Sequence, residues 1–254
     1  MNIAVLVKQV PDPNQPYVLE GGRMKREGIT PVLDPGDEFG VEAALQLTEK
    51  HGGEVTVISM GPAKAVEAVR RALSMGAHKA ILVTDDRLAG ADGLTTARVL
   101  AAAIRRVSPD LVIAGAESTD GSMGTVPGTV AGLLGVPQAT VAKHLEVRDG
   151  TVVVHRQTER GHDVVEAPLP ALVTVTAAVA QPRYPSFKGI MAAKSRPLEQ
   201  LGVAELGLSD DDVRPTQSVS GTSPAPERGA GEVVEDTGDG AERIVAFLAR
   251  AKVI

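Results

Sequence analysis

Residues 54–83 read EVTVISMGPAKAVEAVRRALSMGAHKAILV, which is strand, proline-opened helix, strand. Val55–Met60 and Ala80–Val83 are short apolar runs of the kind that forms strands buried on both faces. Between them Gly61-Pro62 places a proline ahead of a helical pattern at 63–75, and Gly76 supplies its stop. Outward in both directions the alternation continues, with strands at Ile3–Val7 and Leu111–Ala114 and helical patterns at 37–50 and 93–107. Asp34-Pro35 offers an N-cap followed by proline at the first helical position. Such alternation implies a parallel sheet. After a glycine-rich segment at 115–135 the period changes to that of strands. Asp149-Gly150 makes a hairpin turn between HLEV and TVVVHRQ, and more strand is expected up to Val179. The expected fold is α/β and Rossmann-like: a mostly parallel sheet with helices on both faces, antiparallel hairpin additions and an extended C-terminal arm.

The 254 residues suffice for one sizeable α/β domain with an appendage, or for two small domains. A net charge of −6 without any Lys/Arg run argues against a nucleic-acid face, which needs clustered cations. The absence of cysteine excludes disulfides, iron–sulfur ligation and thiolate zinc sites, and fits a reducing compartment. Five histidines lie far apart without metal-ligand spacing such as HExxH, so they read as solvated or core residues and no metal site is expected. MNIAVLVKQV reads directly as a buried strand without a basic leader, and no apolar run approaches the roughly 20 residues that span a bilayer. A cytoplasmic protein with no membrane insertion is expected.

Beyond about Leu201 the composition shifts. Segment 209–241 is rich in Asp, Glu, Gly, Ser, Thr and Pro and reads as an exposed arm. The closing AERIVAFLARAKVI restores a helical stripe through Ile244, Phe247, Leu248 and Ala251, with Arg243 and Arg250 off that face. The stripe needs a partner, either its own domain or another chain.

Three loops fall at the carboxyl ends of the expected parallel strands, where open α/β sheets place ligands: Leu33–Asp37, Met60–Pro62 and Gly115–Gly128. The third, GAESTDGSMGTVPG, joins glycines that allow close backbone approach to Ser118, Ser122, Thr125 and a helix start that favours an anion. It is neither a Walker A loop nor GxGxxG. Two readings stand, a phosphate cradle and a simple turn. Ser118, Asp120 and His144 belong to no nucleophile elbow or triad order, so no catalytic residue is assigned.

In LPALVTVTAAVAQPRYPSFKGIMAAK, residues 169–194, a Val/Thr-rich strand breaks into a loop locked by Pro182 and Pro185, which holds Arg183 and Tyr184 extended. The chain has two tyrosines, three phenylalanines and no tryptophan, and Tyr184 and Phe187 stand here beside Arg183 and Lys188. The cluster reads as a docking surface, or as two rings packed on the protein's own core.

From Met1 to about Lys194 the chain resembles the beta subunit of electron transfer flavoproteins, whose signature is an LPA-type strand, then PRY, then an IM-x-AK helix start. The resemblance implies an electron carrier without catalytic residues of its own. The loop after PRY would be a recognition arm for flavin dehydrogenases anchored by Phe187, with Arg183, Tyr184, Lys188, Ile190, Met191 and Lys194 around it. It implies a structural AMP held by Leu6, Asp34, Pro35, Gly36, Asp37, Met60, Asp120, Gly121, Ser122, Met123, Gly124, Thr125, Val126, Pro127, Gly128 and Thr129, within a loop running on to Leu133. Where many members carry an acidic and amide-rich run with Asn-Gln-Thr, this chain has Asp120-Gly121-Ser122-Met123-Gly124-Thr125, so phosphate contacts would rest on main-chain amides and hydroxyls.

A cofactor must carry the electrons. In the family a single FAD is held mainly by a mobile domain of the alpha subunit, and Asp163 of RGHDVVEAPLPA would face that domain, the plainer reading being a solvated strand carboxylate. Residues 1–202 would then form the nucleotide-binding domain, and 203–254 an arm and helix docking on the alpha subunit. Electrons would pass from acyl-CoA-type flavin dehydrogenases to a membrane quinone oxidoreductase. Within the family the alternative is an electron-bifurcating subunit with a second FAD in the AMP site. Outside it stand a nucleotide sensor of the universal-stress type, which lacks the PRY arm, and an adenylating enzyme, whose SGGxDS-like loop is missing here.

Overall fold

The apolar runs form strands and the periodic stretches between them form helices. The computed structural model describes residues 1–20, 23–223, 229, 231 and 233–254. After β1 (Asn2–Leu6), an excursion carries the short strands β2 (Gln9–Pro11), β3 (Leu19–Glu20), β4 (Arg23–Met24) and β5 (Pro31–Leu33). Then come α1 (Pro35–His51), β6 (Glu54–Met60), α2 (Val66–Met75), β7 (Lys79–Val83), α3 (Gly93–Val107), β8 (Leu111–Gly115) and α4 (Val126–Leu134). A three-stranded meander follows, β9 (Gln138–Arg148), β10 (Thr151–Thr158) and β11 (Gly161–Pro168). The chain continues with β12 (Ala171–Val175), α5 (Phe187–Ala193) and β13 (Leu198–Leu201).

Nine strands form one sheet in the order β11-β10-β9-β12-β8-β1-β6-β7-β13. Every pairing from β9 to β13 is parallel, and β10 and β11 extend the sheet antiparallel. The side-chain period of two sorts each strand between two helix layers. Ile3 and Val5 of β1 join a cluster with α1 and α2, while Ala4 and Leu6 join the opposite cluster with α3 and α4. Burying each large aliphatic side chain in these layers contributes roughly 1.5–3 kcal/mol.

Local signals act as expected at most boundaries. Asp34 caps α1 and Pro35 opens it, Gly76 closes α2 with φ 139°, and Asp149 and Gly150 both take positive φ in the β9–β10 turn. Two boundaries differ by three residues or more. The 63–75 helix starts as a 3-10 turn, Ala63–Ala65, before α2 proper. Strand β12 stops at Val175, short of Val179, where the chain turns and the Val179 amide returns to the Thr176 carbonyl.

By contact the chain divides into Met1–Val219 and Ser220–Ile254. Within the first unit, Val203 and Val213 are buried in the α3/α4 cluster, and the Asp92 carboxylate that caps α3 also accepts from Thr216 and Gln217. The second unit holds α6 (Gly240–Arg250), on which Ile244, Val245 and Phe247 are exposed and Arg250 lies over the Phe247 ring. Of the arm expected at 209–241, residues 224–228, 230 and 232 lie outside the described residues. Among the described residues no helix is long and apolar enough to cross a membrane, and no group of three or more potential metal ligands converges.

Candidate functional site

The chain winds outward from β1 through β6 and β7, then returns to lay β8 on the other side of β1. At such a switch point the two strand ends diverge and leave a crevice. Three segments meet there: the residues after β1, the first turn of α1 and the loop after β8. Asp34, fully buried, ties two of them. Its Oδ1 accepts the Gly36 amide at 2.9 Å, and its Oδ2 accepts the amide and hydroxyl of Thr119 at 2.7 and 3.1 Å. Asp37 ties the third, accepting the Lys8 amide at 2.7 Å. Gly115 is required beneath it, since a Cβ there would stand 2.8 Å from the Asp37 carboxylate. Burial, and the Asp34 carboxylate beside it, push Asp37 well above the usual carboxylate range, against the pull of the Lys8 and Gly115 amides.

Asp120 is the third acid of the crevice, its side chain only 1% exposed. Lys8 Nζ and Arg26 Nη2 reach it at 2.6 and 2.5 Å, and Lys8 also meets the Ser118 hydroxyl at 3.3 Å. Burial alone would raise Asp120; the two cations outweigh it and hold the group below the ordinary value. Lys8 and Arg26 escaped the sequence reading. Lys8 follows the first strand directly and carried a positional signal, whereas Arg26 comes from the excursion and carried none.

Beyond Asp120 the loop is compact. The Ser122 amide returns to the Ser118 carbonyl, Ser122 and Gly124 take positive φ, and Met123 packs against Gly93 at the start of α3. Thr125 precedes α4 without capping it, and Pro127 stands in the first turn, so the leading amides of α4 have no side-chain partner. Thr129 returns its hydroxyl to the Thr125 carbonyl. Leu6, Met60 and Val126 belong to the α3/α4 cluster. Leu6, Pro35, Gly36, Gly121 and Gly128 thus line up on the strand end, helix starts and loop that frame the crevice.

The second group of candidates lies along the arm. Tyr184 is 90% exposed and Phe187 80%, so neither ring packs on the core. Ile190, Met191, Lys188 and Lys194 are also exposed. Ser186 caps α5, which begins at Phe187, ahead of the Ile190-Met191 pair. The helix seats on α2 through Gly189, where a Cβ would stand 2.5 Å from the Ser74 carbonyl oxygen. Arg183 turns inward, onto Glu42 and Glu49 of α1. Asp163 is exposed on the edge strand β11, opposite Arg156. Helix α1 therefore serves both groups, its first turn at the crevice and its flank under the arm.

An electron transfer flavoprotein domain matches residues 22–206. The chain is 42% identical over 264 aligned residues to the electron transfer flavoprotein subunit beta of Mycobacterium tuberculosis, covering 100% of this chain and 99% of the relative. It is 34% identical to the subunit of the same name from Bacillus subtilis, covering the whole of both chains. It is also 38% identical to the caffeyl-CoA reductase-Etf complex subunit CarD of Acetobacterium woodii, over 93% of each. With likeness of this depth running end to end, through the crevice loops and the arm alike, the chain belongs to the electron transfer flavoprotein family and to its beta subunits.

Proposed function

We propose that this chain is the beta half of a heterodimeric electron carrier, passing electrons from acyl-CoA-type flavin dehydrogenases to a membrane quinone oxidoreductase in the cytoplasmic compartment. The observation that carries the reading is the double use of α1, which at one end is tied through Asp34 to the loop after β8 and along its flank anchors an arm of exposed rings. When bound, FAD supplies the redox chemistry, and it is held mainly by the alpha subunit. This chain positions and binds; it carries no catalytic residue.

A structural AMP is assigned to the crevice. Leu6 and Met60 suit an apolar base, and the amides of Gly121, Gly124 and Gly128, the Ser122 and Thr125 hydroxyls and the uncapped start of α4 suit a phosphate. Asp34 and Asp37 hold the loops in place without pointing a free carboxylate at the anion, since both are engaged by backbone donors. Tyr184, Phe187, Ile190 and Met191 supply the apolar contact with a dehydrogenase, with Lys188 and Lys194 at its rim. Asp163 faces the flavin domain, so Asp163→Ala would change the electron-transfer rate more than the FAD content. Residues 203–254 form the arm and helix that dock on the alpha subunit.

Co-expression with the alpha subunit, followed by flavin absorbance and chromatography of acid-released nucleotide, tests the reading. One FAD and one AMP per heterodimer are expected. A chain that is yellow when isolated alone and turns over substrate unaided overturns it. Two FAD and no AMP would select electron bifurcation, a reading favoured by likeness to CarD, a relative named as part of a caffeyl-CoA reductase complex.

A further inference from the structure

Arg183 stands between Pro182 and Tyr184, at the root of the exposed arm, yet every donor of its guanidinium head that makes a bond is spent on this chain. Nε and Nη2 fork onto Glu42 at 2.7 and 2.9 Å, the geometry of a bidentate pair. Nη1 and Nη2 reach Glu49 at 2.5 and 3.1 Å, and the Arg183 amide adds a bond of 3.2 Å to Glu42. Glu42 is 3% exposed, whereas Glu49 lies at the surface. Glu42 and Glu49 sit seven residues apart, two turns of α1 on one face. One arginine thus staples about two helical turns to the start of the arm.

The arrangement has a cost that needs a reason. Burying Glu42 on a helix that otherwise packs Val41, Ala44 and Leu45 against the sheet is unfavourable unless the carboxylate is fully satisfied. It is satisfied by Arg183 together with Gln46 at 2.9 Å. A buried ion pair contributes little net stability compared with apolar side chains, but it specifies one geometry. Here the geometry specified is the direction in which the chain leaves the domain.

We propose that Arg183 is the positioning residue of the docking arm: locked to Glu42 and Glu49, it presents Tyr184 and Phe187 in a fixed, solvent-facing arrangement before any partner arrives. The inference rests on the docking reading above. A preorganised surface loses less conformational freedom on association, so the clamp acts on partner affinity without touching the partner. Lysine cannot replace the fork, because its ammonium is a point donor.

The test uses the FAD-loaded heterodimer. Arg183→Ala alone strands the buried Glu42 carboxylate, so the informative variant is Arg183→Ala with Glu42→Ala, which removes both charges; Arg183→Lys and Glu49→Gln grade the effect. Amide hydrogen exchange of peptides covering 183–191 is compared with steady-state kinetics in which a purified acyl-CoA dehydrogenase is the varied substrate. Exchange in the arm rises about tenfold or more in the double variant, and KM for the dehydrogenase rises about tenfold with kcat little changed. Glu49→Gln gives a smaller change of both, and Arg183→Lys lies close to the double variant. Unaltered exchange in the arm overturns the clamp. Raised exchange with an unaltered KM overturns its positioning role; if Phe187→Ala also leaves KM unaltered, the docking reading falls with it, and if Phe187→Ala raises KM, the docking reading stands alone.

Discussion

Asp34 Oδ2 accepts both the amide and the hydroxyl of Thr119, a residue 85 positions away, while Oδ1 of the same carboxylate caps α1. One buried side chain therefore fixes a helix start and the loop after β8 against each other. Replacing it with alanine removes the cap, worth about 1 kcal/mol, and leaves the Thr119 amide without its partner, worth about 1–3 kcal/mol. Asp34→Ala is expected to lose about 2–4 kcal/mol in urea unfolding and to retain less nucleotide. A loss below about 1 kcal/mol would mean that the two loops stay docked without it.

Asp37 sets a pH dependence of the opposite sign to that of most carboxylates. Its native pKa lies above the unfolded value, so between the two the folded chain binds more protons and stability falls as pH rises. Unfolding free energy measured from pH 4 upward should show this decline, at most about 1.4 kcal/mol per pH unit for one group. Asp37→Asn should flatten it, whatever offset the substitution adds. Identical slopes in the two proteins would remove Asp37 from the account.

Asp120 holds Lys8 and Arg26 together. With Asp120→Asn the two cations face each other around a buried amide, and stability is expected to drop by about 1–3 kcal/mol. The loss should grow at low salt, where the half-exposed cations repel each other with less screening. The native group lies below its unfolded value, so its contribution is present above the unfolded pKa and disappears as pH falls through the native one. Equal stability of the variant at low and high salt would argue against the cluster.

The βαβ alternation was readable because two-sided burial leaves continuous apolar runs, and the caps at Asp34 and Gly76 were readable because capping depends on residues adjacent in sequence. The meeting of Lys8 and Arg26 on Asp120 was not, since these pairs lie 112 and 94 residues apart and depend on strand order. The arm was legible as a cluster of proline, aromatic and basic residues, yet one of its cations faces inward. Nothing in QPRYPSF distinguishes an arginine that clamps its own domain from one that greets a partner; only the register of Glu42 and Glu49 on α1 does.

Val141 was equally hidden. A β-branched residue at φ 56° lies in the left-handed region, at the point where β9 shifts register against β12 and two residues before its shift against β10 at Lys143. Its amide donates to the Thr174 hydroxyl at 2.8 Å, which holds the bulge in place. The conformation costs of order 1–3 kcal/mol. Val141→Gly should therefore be neutral or stabilising within about 1 kcal/mol, despite the lost side chain. Val154→Gly, fully buried on the neighbouring strand, should cost roughly 2–5 kcal/mol in the same urea experiment. Similar losses at both positions would show that the backbone at 141 is not strained.

Phe187 is the sharpest single test of the docking role. At 80% exposure its ring stabilises little in this chain, so Phe187→Ala should leave the unfolding free energy within about 0.5 kcal/mol of the parent. Its subunit assembly should also be unchanged. If the ring fills a pocket on a dehydrogenase, truncation removes an anchor of the size typical of interface hot spots, about 2 kcal/mol or more. That loss corresponds to a KM for the dehydrogenase raised some thirtyfold. A like-sized effect is expected from Tyr184→Ala only if the second ring enters the same pocket; a lesser one would place it at the rim. Loss of stability in Phe187→Ala together with parental partner kinetics would reverse the assignment and make the ring a structural element of α5.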